Sequence, residues 1–409
     1  MSRFLMTCPL LLAIVSNTSA LPQTLLAGEP NPALPPAGHN IHFRGSLKNC
    51  RLQFETGKAG HVAFMGGSIT EMNGYRPMVC EFLRKRFPNT EFTFTDAGIS
   101  STCSTTGAFR LQTDVLSQGP LDLFFVEFAV NDDQDAGHAR RECIRGMEGI
   151  VRHVRQHNPH ADIVIVHFTN PGMVETIQNG DTPVSSGSHE EVAEHYDVSS
   201  IDLAREVAER IAEGTLTWKQ YGGTHPAPHG NAICTKMIER LMEGAWRAPL
   251  PKDTGKSAHT MPDKPLDVEH YGAGRFVSPD KVKCDDGWKL HVPDWGALPG
   301  QCRHRFLDTP LLCTTEPGAA FTFEFDGKAV GAYILAGPDA GVVEASIDGR
   351  EEKKLDLFHR FSRGLHYPRT VMFGADLPSG HHVLKLKMTA EKNEGSSGHV
   401  MRILQFAVN

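Results

Sequence analysis

Long apolar runs are missing from this 409-residue chain beyond its first twenty positions, as are basic runs, CxxC cysteine pairs and low-complexity tracts. Each absence excludes something. Without 18 consecutive apolar residues after the N-terminal stretch, no stable membrane insertion is expected. The net charge of −7 is spread along the chain and leaves no basic footprint, so no nucleic-acid partner is expected. The 21 histidines are scattered and the cysteines are unpaired in sequence, so neither a metal nor another cofactor is expected. What remains is a globular composition, 40% hydrophobic and 22% charged, in a chain long enough for two domains.

The N-terminus reads as a targeting segment. Arg3 precedes an apolar stretch over residues 4–15, and Thr18-Ser19-Ala20 supplies small residues for cleavage. Residues 1–20 are therefore expected to be a signal peptide and the mature protein secreted or periplasmic. The proline-rich stretch that follows makes residues 21–40 an extended, unstructured leader. Cys8 leaves with the signal. Of the rest, Cys80, Cys143 and Cys234 fall in helical windows, where buried thiols are common. Cys284, Cys302 and Cys313 cluster closely enough that a bridge among them is an expectation in an oxidising compartment.

From 60 to 247 short apolar runs alternate with amphipathic windows. Strands are expected at 61–65, 91–96, 121–128, 162–168 and 198–201, with helices near 75–87, 105–118, 138–157, 188–196, 202–214 and 228–246. Strands separated by helices imply an α/β domain with a parallel sheet and right-handed crossovers, here assigned to residues 41–249. Residues 250–266, with Pro251, Pro262 and Pro265, read as a linker. Residues 267–409 then show strict alternation, as in Phe321-Thr322-Phe323-Glu324-Phe325, with Asp348-Gly349 as a two-residue hairpin turn. That pattern predicts a C-terminal all-β sandwich. Residues 45–54 also look strand-like, and pairing of 41–58 with the sandwich is the expectation for them.

Four segments carry candidate chemistry. Val62-Ala63-Phe64-Met65-Gly66-Gly67-Ser68 is a buried strand that stops at two glycines and presents a serine at its carboxyl tip, where ligands bind in open α/β sheets. Neither a phosphate-loop lysine nor a Gly-x-Ser-x-Gly elbow is present, because position 70 is Thr. At Asp96-Ala97-Gly98, the glycine is either a plain turn or a backbone N–H donor that a ligand can approach closely. At Val126-Glu127-Phe128-Ala129-Val130-Asn131-Asp132-Asp133, the Asn-Asp pair is either a helix cap or a source of a side-chain amide for an oxyanion. In Tyr221-Gly222-Gly223-Thr224-His225-Pro226, the histidine is a loop residue or a general base for Ser68. His229 reads as solvent-facing or as a substitute base. His189 and His195 fit an exposed or interfacial helix face, and Glu71 and Arg76 fit a salt bridge or the lining of the cleft.

Ser68, Gly98, Asn131 and His225, in that order, resemble the four blocks of the SGNH hydrolases, the GDSL esterase/lipase superfamily. The resemblance covers roughly residues 61–246. It departs at the third block, where Ala129 replaces the usual Gly, and in the loose Gly66-Gly67-Ser68 form of the first. The resemblance implies a three-layer α/β/α flavodoxin-like domain that hydrolyses esters through an acyl-enzyme on Ser68. His225 would be the base, with an oxyanion hole made by the Ser68 and Gly98 amides and the Asn131 side chain. The superfamily places an Asp three residues before the His, and this chain has Gly222 there. A backbone carbonyl near Gly222 is then the expected acceptor for His225 Nδ1–H, with Asp132, Asp133 or Glu71 as carboxylate alternatives.

Signal, SGNH-type domain and sandwich together look like a secreted carbohydrate esterase acting on an acetylated glycan. A lipid ester or thioester hydrolase and a catalytically silent glycan-binding protein are the competing readings. Residues 357–367 read either as a sugar-stacking rim over the cleft or as a loop packed on the first domain. Trp288 and Trp295 read as core or interface.

Overall fold

The computed structural model describes residues 38–251 and 253–409. The expected signal peptide and most of the leader lie outside the described residues.

The first domain is built on a six-stranded sheet. In chain order its elements are β1 (Ile41–His42), α1 (Lys48–Leu52), β2 (Ala59–Gly66), α2 (Ser68–Glu71), α3 (Tyr75–Arg86), β3 (Glu91–Gly98), α4 (Ser104–Asp114) and β4 (Leu123–Val126). There follow α5 (Arg140–His157), β5 (Asp162–Val166), α6 (Pro171–Gln178), α7 (Val184–His195), β6 (Ser199–Ile201), α8 (Leu203–Ala212), α9 (Trp218–Tyr221) and α10 (Pro228–Ala245). The sheet order is β1-β6-β5-β4-β2-β3, parallel throughout except for β1, which pairs antiparallel with β6.

Alternation along the strands explains the three layers. Val62, Phe64, Leu123, Phe125, Val164 and Val166 face one core, shared with α3, α8 and α10. Ala63, Met65, Phe124, Val126, Ile163 and Ile165 face the other, shared with α4, α5 and α7. Both faces are covered, so the strands read as continuous apolar runs. Leaving β1 aside, the order is that of a flavodoxin-like sheet, whose strand order reverses between β2 and β4. Ser68 follows β2 and Asn131 follows β4, so the topology alone brings them to the crevice where ligands bind.

The second domain comprises β7 (Arg275–Val277), β8 (Lys283–Cys284), β9 (Lys289–His291), β10 (Leu311–Thr314), β11 (Ala320–Gly327), β12 (Val330–Ala336), β13 (Gly341–Ile347), β14 (Lys353–Asp356), β15 (Tyr367–Gly374), β16 (Gly380–Lys392) and β17 (Met401–Val408). They form two antiparallel sheets, β15-β12-β17-β10-β9 with β7 beside β17, and β14-β13-β16-β11-β8. Phe321, Phe323, Phe406 and Leu384 are buried between them, giving the β-sandwich expected from the alternation.

Four expectations need correction. Residues 41–58 belong to the first domain, not to the sandwich. Leu47, Cys50 and Phe54 sit at helical spacing in its core, and β1 closes its sheet at β6. Residues 250–266 are not a free connector. Ser257 N donates to Asn49 Oδ1 (2.9 Å), His259 bonds Asp162 (2.7 Å), and Leu266 N donates to Glu148 (2.6 Å), so the segment is laid along the α/β domain. Cys284, Cys302 and Cys313 are all free thiols. The Asp348-Gly349 turn exists, with φ of 55° and 69° and an Arg350 N–Ile347 O bond of 3.0 Å. Its register, Ala345 opposite Lys353, makes the connection longer than two residues.

The two domains share a packed surface. Tyr271, Ala329 and Ala407 complete the core on the α4/α5 side, Thr106 bonds Thr370 (2.9 Å), and Arg141 pairs with Asp376 (2.8 Å). Trp288 is buried in the sandwich core, and Trp295 donates to the Leu307 carbonyl (3.0 Å).

Candidate active site

β2 ends on Gly66, and Gly67 turns the chain into α2, whose first residue is Ser68. Both glycines answer to close approach. A Cβ on Gly66 would lie 2.1 Å from Glu127 Oε1, and one on Gly67 would lie 2.0 Å from Asn131 Oδ1. The nucleophile turn can therefore press against the end of β4 only because two side chains are absent. Ser68 is half-buried. As the first residue of α2, its backbone N–H has no intrahelical acceptor.

His225 arrives on the loop between α9 and α10. Tyr221 and Gly222 end α9 with Gly222 at φ 108°, and Asn231 of α10 holds the loop by donating to the Pro226 carbonyl (2.6 Å). This places His225 Nε2 2.7 Å from Ser68 Oγ. Ser68 and His225, the expected nucleophile and base, are thus in direct hydrogen-bond contact at the exposed mouth of the crevice.

The other face of the imidazole is different. Among the described residues, no hydrogen bond reaches His225 Nδ1, neither from the Gly222 carbonyl nor from a carboxylate. The proposed carboxylates are engaged elsewhere. Asp132 is fully buried and accepts from Ser104 N (2.8 Å), Ser104 Oγ (2.6 Å) and His189 Nε2 (3.0 Å). Asp133 accepts from Asn170 (2.7 Å), and Glu71 accepts from the Ser100 N–H (2.8 Å) and its hydroxyl. His189, read from sequence as exposed or interfacial, is buried against Asp132. His229 makes no bond to Ser68, and Arg76 pairs with Asp96 (2.7 Å).

Of the three expected oxyanion donors, Ser68 and Asn131 flank the nucleophile turn. Asn131 starts the π-helical turn Asn131–Ala136, and its Nδ2 gives one N–H to Asp135 Oδ2 (2.8 Å), leaving the second free. Gly98 closes β3 beside Gly66, but its N–H donates to Asp96 Oδ1 (3.0 Å).

Asp132 also belongs to two groups of potential ligand atoms lying within 4.8 Å of one another, Cys103-Asp132-His138 and Asp132-Cys143-His189. Its two oxygens accept from the Ser104 N–H and hydroxyl at the start of α4 and from His189.

Two buried residues beneath the site escaped the sequence reading. Arg110, fully buried on α4, donates to the Gly66 carbonyl (2.9 Å) and the Ala97 carbonyl (2.7 Å), fastening β2 to β3 just below Ser68 and Gly98. Glu127 Oε1 accepts from Gly67 N (3.0 Å) and Thr70 Oγ1 (2.7 Å), while Oε2 makes no hydrogen bond among the described residues. A charged residue inside an apolar strand or on the apolar side of a helix is the signal that exposes both, since such groups are almost never fully buried without partners.

Glu127 carries a prediction. Burial pushes its carboxyl from 4.5 up to about 8, roughly 4–5 kcal/mol between its two protonation states. Because the folded value lies above the unfolded one, this group's contribution is fully present below about pH 4.5 and is lost as pH rises towards 8. Glu127→Gln keeps an acceptor for Gly67 and Thr70 but cannot ionise. Denaturant unfolding at pH 5 and pH 8 should therefore show a smaller loss of stability at pH 8 for the variant than for the wild type. Equal losses would contradict a buried, protonated Glu127.

Residues 64–233 match the GDSL-like lipase/acylhydrolase family. The α/β domain belongs to this family. The matched span contains Ser68, Gly98, Asn131 and His225, and an SGNH-type domain accounts for the three-layer fold. Among solved structures, the whole chain is similar to a two-domain esterase active on acetylated mannans. One structure of it, co-crystallized with mannopentaose, superposes with a TM-score of 0.70 at 21% identity, covering 90% of this chain and 96% of the other. A second gives 0.69 at 21% identity, covering 90% and 97%. The likeness extends through both domains and establishes the two-domain fold. Among curated proteins, none matches. No helix among the described residues is long and apolar enough to cross a membrane.

Proposed function

We propose that the protein is a secreted serine esterase that removes acetyl groups from a polysaccharide or oligosaccharide through an acyl-enzyme on Ser68. The observation that carries this reading is the 2.7 Å contact between Ser68 Oγ and His225 Nε2 at the point where the sheet order reverses. His225 takes the Ser68 proton as Oγ attacks the ester carbonyl. The tetrahedral oxyanion lies against the Ser68 N–H and the free N–H of Asn131. Collapse expels the sugar hydroxyl, protonated by His225, and leaves acetyl-Ser68. A water, deprotonated by His225, then releases acetate. The imidazole works as one half of a dyad, with no carboxylate behind it. The Gly98 N–H joins the oxyanion hole only if it exchanges Asp96 for substrate.

The carbohydrate assignment draws support from a groove of about 630 Å³ beside the catalytic turn. Asp133, Gln134 and Asn170 of the first domain line one wall, and His359 and Arg360 of the sandwich line the other. Its charged and amide side chains offer donors and acceptors to sugar hydroxyls, beside apolar surface from Pro171 and Phe358. Ser68 and His225 do not line the groove, which lies along the same Asn131–Ala136 turn whose first residue is the expected oxyanion donor. The two-domain neighbour active on acetylated mannans favours the same substrate class.

The test has two stages. A fluorophosphonate probe should label the wild type and leave Ser68→Ala unlabelled, and an unlabelled folded wild type points instead to a glycan binder. Acetate release from acetylated mannans and xylans, set against long-chain acyl esters, then decides the substrate. Turnover of long-chain esters alone overturns the carbohydrate assignment.

A further inference from the structure

The catalytic turn Asn131–Ala136 is held from outside its own domain. Tyr367, at the start of β15 in the sandwich, is buried, and its hydroxyl lies 2.9 Å from Asp135 Oδ1 and 3.2 Å from the Ser101 carbonyl. The opposite oxygen of the same carboxylate, Oδ2, accepts from Asn131 Nδ2 at 2.8 Å. A continuous chain therefore runs from the sandwich through one carboxylate to the amide beside Ser68. His359 Nε2 donates to the Asp135 carbonyl (2.8 Å), and Arg360 donates to the Gln134 carbonyl. His359 also stacks on Tyr367, with ring centroids 4.3 Å apart and planes 14° apart. The block around Gly98 is gripped as well, by Arg305 on the Gly98 carbonyl (3.2 Å) and Arg303 on Ser101 Oγ (2.8 Å).

We infer that Tyr367 and Asp135 are positioning residues for the oxyanion donor, so that the β-sandwich completes the catalytic apparatus of the first domain in addition to any contact it makes with glycan. The physical reason lies in the donor itself. Asn131 is buried with its amide packed against Gly67, and its Oδ1 makes no hydrogen bond among the described residues, so packing alone leaves the amide's hydrogen-bonding direction unset. Asp135 ties one N–H and so fixes the direction of the other. A carboxylate with two oxygens does this best when its second oxygen is also held, which Tyr367 does. The first domain supplies the donor, and the second supplies its aim. This inference rests on the esterase reading of Ser68 and Asn131.

The test uses a small acetyl ester that fills the nucleophile site without reaching the groove. Tyr367→Phe removes one hydroxyl and keeps the stacked ring. It should lower kcat about tenfold with KM changed less than about threefold, short of the roughly 10²–10³ expected for losing the donor in Asn131→Ala. Asp135→Asn, which cannot accept at both positions, should fall between the two. The decisive measurement is coupling. In an Asn131→Ala background, Tyr367→Phe should cost nothing further, because nothing is left to aim. A tenfold loss that persists in that background marks Tyr367 as a general structural contact and overturns the inference. So does an unchanged kcat for Tyr367→Phe beside a strongly impaired Asn131→Ala. If Asn131→Ala itself retains wild-type turnover, the oxyanion reading of Asn131 fails first. If the wild type hydrolyses no ester, the esterase reading fails. These failures are distinguishable.

Discussion

Ser68→Ala should fold as the wild type does and lose about 10⁴-fold or more in turnover of an acetyl ester. The size follows from what the hydroxyl does. It stands at the carboxyl end of β2, in the crevice, with its Oγ 2.7 Å from an imidazole nitrogen that can take its proton. Without it, the remaining rate enhancement comes from binding and the oxyanion donors, which in serine hydrolases leave about 10³–10⁴ over water. The fold should be indifferent to the change. Ser68 is half-buried, its Oγ is bonded only to His225, and Ala is a good helix residue at the start of α2. Matching thermal unfolding of the two proteins, beside initial rates on a small acetyl ester, separates lost chemistry from lost structure. A variant retaining a tenth of wild-type turnover would remove Ser68 from the mechanism.

The residues on the strand tips were legible because their context is local. A buried strand followed by Gly66-Gly67-Ser68, or by Asn131-Asp132, announces its place by the apolar run before it, and parallel topology then brings the tips together. The helices from α3 to α10 were visible through period and length, except α9, a single turn too short to show a period, and α6, whose Pro171-Gly172 start imitates a turn. In the structure Asn170 caps that helix by accepting from Met173 N (2.9 Å), with the proline at its first position. Residues 47–54 failed for another reason. Cys50, Leu52 and Phe54 alternate like a strand, while Leu47, Cys50 and Phe54 repeat like a helix. Only packing against β5 and α10 decides between them, where Cys50 N meets Asp162 Oδ2 (2.8 Å) and Trp246 meets the Leu47 carbonyl (2.8 Å).

Contacts across the chain were not legible at all. Asp135 and Tyr367 stand 232 residues apart, and neither has a local pattern that sets it apart from a turn aspartate or a strand tyrosine. The same holds for Arg110, which reads as one polar position in an apolar helix until the carbonyls of Gly66 and Ala97 are seen around it. The site is thus written at two ranges. Its reacting groups sit in short motifs, while the groups that aim them come from wherever the fold brings a partner. The 357–367 segment packs on the first domain: Phe358, His359 and Arg360 border the groove, and Tyr367 bonds the turn that carries Asn131.

His225→Ala should lower turnover by about 10²–10⁴-fold, the range general acid–base catalysis supplies. The ceiling is lower than for a full triad. In a triad, a carboxylate orients the imidazole and stabilises the imidazolium that forms in the transition state, and that component alone is worth about 10⁴ in turnover. Here Nδ1 has no hydrogen-bond acceptor among the described residues, so the wild type lacks that component and has less to lose. Orientation comes instead from the loop, through Asn231 on the Pro226 carbonyl and the Nε2 bond to Ser68. The dyad makes a second demand. Asp133→Asn should leave the rate on a small acetyl ester within about threefold of wild type, since its carboxylate serves Asn170 and a neutral amide can still accept from that partner. If Asp133→Asn instead falls as far as His225→Ala, a carboxylate swings behind the imidazole during turnover, and the missing acid opposite Gly222 is supplied from the Asn131–Ala136 turn.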